Sequence, residues 1–150
     1  MMDDTPDLYA RMAKELFNQT WDLLDRTNRT PEEDLRMLGS ALGSWAMWRR
    51  AGEPKNHAIS DWQVSRVFAV LEEPGWAHRY AVAGLDLCRE HNLGPFLQGY
   101  AWESVARAAH LSGDHESAAE AVAAARVAAD LVEDPDDRQL MIDDLEDLTP

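Results

Sequence analysis

Residues 99–132 read GYAWESVARAAHLSGDHESAAEAVAAARVAADLV, and the reading of this stretch decides the fold. Its first half carries Trp102, Val105, Ala106 and Ala109 at helical spacing. Ser112-Gly113 ends that helix, and Asp114 offers a side chain that caps the next. The second half places Ala118, Val122, Ala125, Ala129 and Val132 at steps of four, three, four and three. This is a seam suited to close contact with another helix. A link as short as Ser112-Gly113-Asp114 makes the two helices antiparallel neighbours.

The same punctuation continues outward. Thr5-Pro6 predicts a helix start, with Tyr9, Met12, Leu16, Thr20 and Leu23 on one face and an end near Asp25–Asn28. Thr30-Pro31-Glu32-Glu33 is a capping box with Pro inside it. It opens a second helix whose stripe is Leu35, Leu38, Leu42, Trp45 and Trp48. Gly52 is read as its stop, and Pro54 as a bar to continuation. Asn56 is then expected to cap a third helix carrying Ile59, Trp62, Val64, Val67, Phe68 and Leu71. Glu72-Glu73-Pro74-Gly75 reads as a turn. The fourth helix, about Trp76 to His91, is expected to turn Tyr80, Ala83, Gly84, Leu87 and Cys88 inward. Asn92-Leu93-Gly94-Pro95 is the next break, before a fifth helix at about Phe96–Leu111. Asp134-Pro135-Asp136-Asp137 opens a last, short helix with Leu140, Met141, Leu145 and Leu148. No segment alternates with period two, so no sheet is expected.

Trp102, Val105 and Ala106, the Gly113-Asp114 turn, and the small residues Ala118 and Ala125 around Val122 resemble a tetratricopeptide repeat (TPR). The likeness covers about residues 99–132. Ala109 stands where that family usually has a large aromatic residue, and Asp130 where it usually has Pro. The segment from Asn56 to Asp144 is also similar to small bacterial repeat proteins. The resemblance implies an all-α fold: antiparallel helix pairs stacked as a short right-handed TPR-like α-solenoid of about seven helices. Residues 1–150 then form one domain, with a capping helix at about 135–148. It also implies a function, a non-enzymatic module that holds a protein or peptide partner. The first helix of a repeat lines the concave surface, which on this pair gives a binding groove of Tyr100, Glu103, Arg107 and His110. So short an array leaves apolar surface at its ends, which a homo-dimer would cover.

Composition narrows the classes further. The 150 residues hold 28 acids against 14 bases, a net charge of −14. That balance disfavours nucleic acid and anionic membranes as partners, since both require a basic patch. The charge is uneven: residues 111–150 hold twelve acids and two bases, while residues 49–110 hold seven of each. The acidic opening Met1-Met2-Asp3-Asp4 is unlike a secretory signal, and Arg and Ala usage suggests a GC-rich bacterial genome. A cytoplasmic location is the resulting expectation.

Chemistry is harder to find. His57, His78, His91, His110 and His115 lack the i, i+3 or i+4 spacing of a helical metal pair, so no metal is expected. Cys88 lies on an apolar face with no base spaced beside it, and reads as a buried small residue. No Gly-rich phosphate loop occurs, so no cofactor is expected. Pairs such as Glu72-Glu73 and Asp143-Asp144 read as solvated. The tryptophans offer an alternative function. Trp21, Trp45, Trp48 and Trp62 fall in the first three helices, and Arg66 shares a stripe with Trp62. Trp45, Trp48, Trp62 and Arg66 would then line a pocket for a small ligand.

Overall fold

The prolines mark where the helices begin. In the computed structural model, which describes residues 4–148, seven helices follow one another. They are α1 (Thr5–Leu24), α2 (Pro31–Ala51), α3 (Pro54–Val70), α4 (Pro74–Glu90), α5 (Pro95–Leu111), α6 (His115–Asp130) and α7 (Pro135–Glu146). Pro6, Pro31, Pro54, Pro74, Pro95 and Pro135 each sit in a first turn. There the fixed φ of proline suits the helix, and its missing N–H would have had no partner anyway. Pro54, Pro74 and Pro95 are therefore starts, not interruptions, and α3, α4 and α5 begin earlier than predicted. Asn56 lies inside α3, and its Oδ1 reaches back to accept the Glu53 N–H at 3.0 Å.

Other ends follow the sequence closely. Thr30 Oγ1 accepts the Glu33 N–H at 3.1 Å, and Asp114 Oδ1 accepts the Ser117 N–H at 3.1 Å. Asp134 Oδ1 accepts from both Asp136 and Asp137. Gly113, at φ 76°, makes the left-handed turn between α5 and α6 that a side chain would strain. The acidic opening Met1-Met2-Asp3 lies outside the described residues.

Each helix packs on its neighbour in the chain, most extensively within the pairs α1–α2, α3–α4 and α5–α6. There is no strand among the described residues. Helices two apart also touch: α1 meets α3, α3 meets α5, and α5 meets α7. In the α5–α6 pair, Ala106, Ala118, Val122 and Ala125 are buried, and Trp102 and Val105 flank the cluster. No helix among the described residues is long and apolar enough to cross a membrane.

Two predicted faces are corrected. The buried face of α2 is Met37, Ser40, Ala41 and Ser44, while Leu35 points to water. Small residues win because α1 and α2 run close together. Ser44 Oγ donates to the Ala13 carbonyl at 2.8 Å, and Thr20 and Ser40 share a hydroxyl hydrogen bond at 2.7 Å. On α4 the inward residues are Ala77, Ala81, Gly84, Leu85 and Cys88, whereas Ala83 is exposed. Gly84 sets that choice: a Cβ there would lie 3.3 Å from the Asp61 Cβ of α3. Similarly, a Cβ on Gly99 would run into Met141, which places α7 directly against α5.

Two glycines on α2 and its end separate steric from intrinsic effects. A Cβ on Gly52 would lie 2.8 Å from the Trp48 carbonyl oxygen and 2.9 Å from the Asn56 Cβ, whereas one on Gly39 meets nothing. Gly52→Ala should destabilise by about 1–3 kcal/mol, as overpacking does. Gly39→Ala should stabilise by about 0.5–1 kcal/mol through helix propensity. Urea unfolding of both variants measures the difference.

Candidate functional site

A run of aromatic rings crosses three helices. Trp21 of α1 lies 5.3 Å from Trp62 of α3, centroid to centroid. Trp62 lies 5.7 Å from Tyr100 of α5, and Tyr100 lies 5.1 Å from Phe96. The contacts are tilted or edge-on, as aromatic quadrupoles prefer. These four rings form one wall of a partly enclosed cavity of about 410 Å³. Ile59 and Ala58 of α3, Ala81, Gly84 and Cys88 of α4, and Leu97 and Ala101 of α5 extend the apolar lining. Leu140 and Asp144 bring α7 to the rim, and Leu140 is half-exposed there.

Polar groups gather at one side. Arg66 and Ser104 join Tyr100 and Asp144 in the lining. The Tyr100 hydroxyl donates to Asp144 Oδ2 at 2.8 Å, and Ser104 Oγ donates to the Tyr100 carbonyl at 3.0 Å. Burial, with the Asp144 hydrogen bond and charge behind it, pushes the Tyr100 phenol well above its usual range. Behind this wall lies Glu103, 1% exposed. Its Oε1 accepts from Nε of Arg107 at 2.9 Å and also from Nη2 of Arg107. Arg66 Nη1 approaches the same oxygen at 3.7 Å. Glu103 Oε2 has no hydrogen-bond partner among the described residues.

The predicted groove is thus not an open surface. Tyr100 and Glu103 are buried, Arg107 is half-buried against Glu103, and only His110 is exposed. The reason is the contact between helices two apart. Trp62 and Arg66 of α3 lie over the face of α5 that was expected to be concave, and α7 closes on it from the other side. His110 sits at the α5–α6 turn with its ring 5.9 Å from that of His115. Among the described residues no three His, Cys, Asp or Glu side chains gather around a point that could hold a metal ion.

The predicted tryptophan pocket is divided. Trp62 and Arg66 do line one cavity, but Trp45 and Trp48 do not. Trp45 Nε1 donates to Asp61 Oδ1 at 2.7 Å, and Arg49 lies over its ring. Because Asp61 faces α2, Trp62 points about 100° further round α3, away from Trp45. Trp48 lies by a separate depression with Phe17 and Asn56. Sequence reading missed Phe96, Ser104 and Asp144 in the lining and left Trp21 out of the pocket. The i, i+4 pair Phe96–Tyr100, parallel to Trp62–Arg66, is a signal that could have pointed to it.

Two further groups are set by burial. Cys88, in the cavity wall, is pushed up to about 11 by desolvation, so its thiol is protonated near neutrality. Asp61 is 1% exposed, with Oδ2 unpartnered among the described residues. Its burial raises the carboxyl above its ordinary 3.8, against the pull of Arg49 and Trp45. No protein-family model, curated protein or solved structure matches the chain.

Glu103→Ala should cost roughly 2–3 kcal/mol in chemical unfolding. That is below the 3–5 kcal/mol typical of a fully buried pair, because Arg66 and Arg107 keep some contact with water. Asp61 gives a test with a sign. Its folded carboxyl keeps its proton to higher pH than the unfolded one, so folding takes up a proton in that window. Wild-type stability therefore falls as pH rises from 3.8 through the raised folded-state value. The Asp61→Asn variant lacks this loss and should gain on the wild type across the same window, read by urea unfolding at successive pH values.

Proposed function

We propose that this protein binds a small, largely apolar ligand in the cavity between α1, α3, α4, α5 and α7. The observation that carries the reading is the aromatic wall of Trp21, Trp62, Tyr100 and Phe96 facing a space of about 410 Å³. Small-molecule sites are concave and mostly apolar, with a few convergent polar groups, and their usual volumes include this one. Arg66, Tyr100, Ser104 and Asp144 supply those groups on one side. A peptide-holding groove on α5, the function its repeat likeness implies, would need Tyr100 and Glu103 at the surface, and both are buried. The reading is of binding rather than chemistry, by a TPR-like array whose composition fits a bacterial cytoplasm.

The test is a panel of small phenyl- and alkyl-bearing molecules added to the full chain. Thermal unfolding and tryptophan emission are followed together, since Trp21 and Trp62 stand in the wall. A binder present at a hundredfold excess over its Kd raises stability by about 2.7 kcal/mol. Leu140 is half-exposed at the rim, so Leu140→Trp should narrow the entrance without disturbing the core. We expect that variant to fold as the wild type does and to lose most of the ligand-induced shift. A panel that moves neither signal, or shifts that survive Leu140→Trp unchanged, would reject the cavity as the site.

A further inference from the structure

We propose that the ligand carries a carboxylate on its apolar body, and that Arg66 is the residue that recognises it. This inference rests on the binding reading above and names the ligand's head group. It begins from hydrogen-bond accounting at the polar side of the cavity. A guanidinium carries five N–H donors. Among the described residues, Arg66's one polar contact is the approach to Glu103 Oε1 at 3.7 Å, too long for a hydrogen bond. The oxygen it approaches is already occupied, since Nε and Nη2 of Arg107 both bind Oε1, while Oε2 has no hydrogen-bond partner among the described residues. Arg66 is therefore left as a cation, its side chain 31% exposed, with no hydrogen-bonded protein partner among the described residues, at the edge of an apolar space. Burial first, and the neighbouring Arg107 second, lower its pKa from the usual guanidinium range.

Trp62, which also lines the cavity, adds a buried indole N–H with no hydrogen-bond partner among the described residues, whereas the hydroxyls at the wall are already committed. The Tyr100 hydroxyl proton goes to Asp144, and the Ser104 hydroxyl proton goes to the Tyr100 carbonyl. Asp144 also lines the cavity, and its charge reaches Arg66, but one of its oxygens is taken by Tyr100. The unmet demand is thus for an acceptor. A carboxylate matches the guanidinium fork with two parallel charge-assisted hydrogen bonds, and it gains from the low dielectric of an apolar wall. A neutral amide meets the demand only in part. An ammonium group would find Asp144 but would face Arg66 across the same space.

The test uses calorimetric titration of the full chain at neutral pH with three molecules sharing one body: phenylbutyrate, phenylbutyramide and phenylbutylamine. We expect the carboxylate to bind on the order of tenfold more tightly than the amide, the gain typical of one charge-assisted pair. Arg66→Met should erase that preference, bringing the carboxylate down to the affinity of the amide or below it. Thermal unfolding shows whether the variant is folded. Arg66→Lys, which keeps the charge and loses the fork, should keep part of the preference. Added salt should weaken the carboxylate and not the amide. An amide that binds as well as the carboxylate, an amine that binds better, or a preference that survives Arg66→Met overturns the inference and leaves the cavity reading standing. Failure of all three molecules to bind overturns the cavity reading itself, and this inference with it.

Discussion

Glu103 is withdrawn from water in the middle of α5, and guanidiniums stand by it from two directions. Arg107 supplies one from the next turn of the same helix, and Arg66 supplies the other from α3. The second cation has a structural consequence. It brings α3 across the face of α5, although the two helices are separated in the chain by α4. Buried ion pairs add little net stability over apolar packing, but they penalise every arrangement that leaves one charge alone. Here Arg107 keeps Glu103 from standing alone, and the 3.7 Å approach of Arg66 adds a weaker charge attraction that favours α3 over α5. The contacts of Trp62 with Tyr100, and of Tyr100 with Asp144 on α7, follow from the same approach.

That approach also explains why a space remains. Helices two apart touch at discrete points, through large side chains such as Trp62 and Tyr100, while α3 and α4 are held close by Gly84. Large rings at one contact and a missing Cβ at the next give an uneven wall, and the residue is a cavity. Its lining is chemically divided. Rings and aliphatic groups cover most of it, and the hydroxyls of Tyr100 and Ser104 are turned onto protein acceptors. Arg66 alone brings a charged donor with no hydrogen-bonded acceptor among the described residues. A site of this kind selects a ligand by one polar point and a large apolar remainder.

The two buried carboxylates in α3's contacts share a pattern of one bonded oxygen and one without a partner. Glu103 Oε1 is bonded by Arg107 and approached by Arg66, Asp61 Oδ1 is bonded by Arg49 and the Trp45 indole, and the second oxygen of each has no hydrogen-bond partner among the described residues. Desolvation prevails at Asp61, and it holds its proton beyond the usual range. The polar content of α3, which also includes Ser60, Gln63 and Ser65, marks it as the central helix. Two of these donate to backbone carbonyls of other helices, Gln63 to that of Phe17 and Ser65 to that of Ala77, while Ser60 donates to the His57 carbonyl of α3 itself.

The sequence by itself determined seven helices and most of their ends, because caps, first-turn prolines and 3.6-residue periodicity act within a few residues of chain. Thr30, Asp114 and Asp134 cap where their side chains can reach the next turn's N–H groups, whatever the rest of the molecule does. It also put Trp62 and Arg66 on one stripe, since four residues return to the same side of a helix. What it did not determine was which stripe meets which. Leu35 belonged to the more apolar face of α2, yet the small face of Ser40, Ala41 and Ser44 was buried, because only small residues let α1 come near. Tyr100 and Glu103 lay on a plausible open face until α3 and α7 covered it. Trp21, Phe96 and Asp144 joined Trp62 only through the packing of four separate helices. Secondary structure is fixed by local bonds, but a cavity is the space left between surfaces, and only the tertiary arrangement decides which surfaces those are.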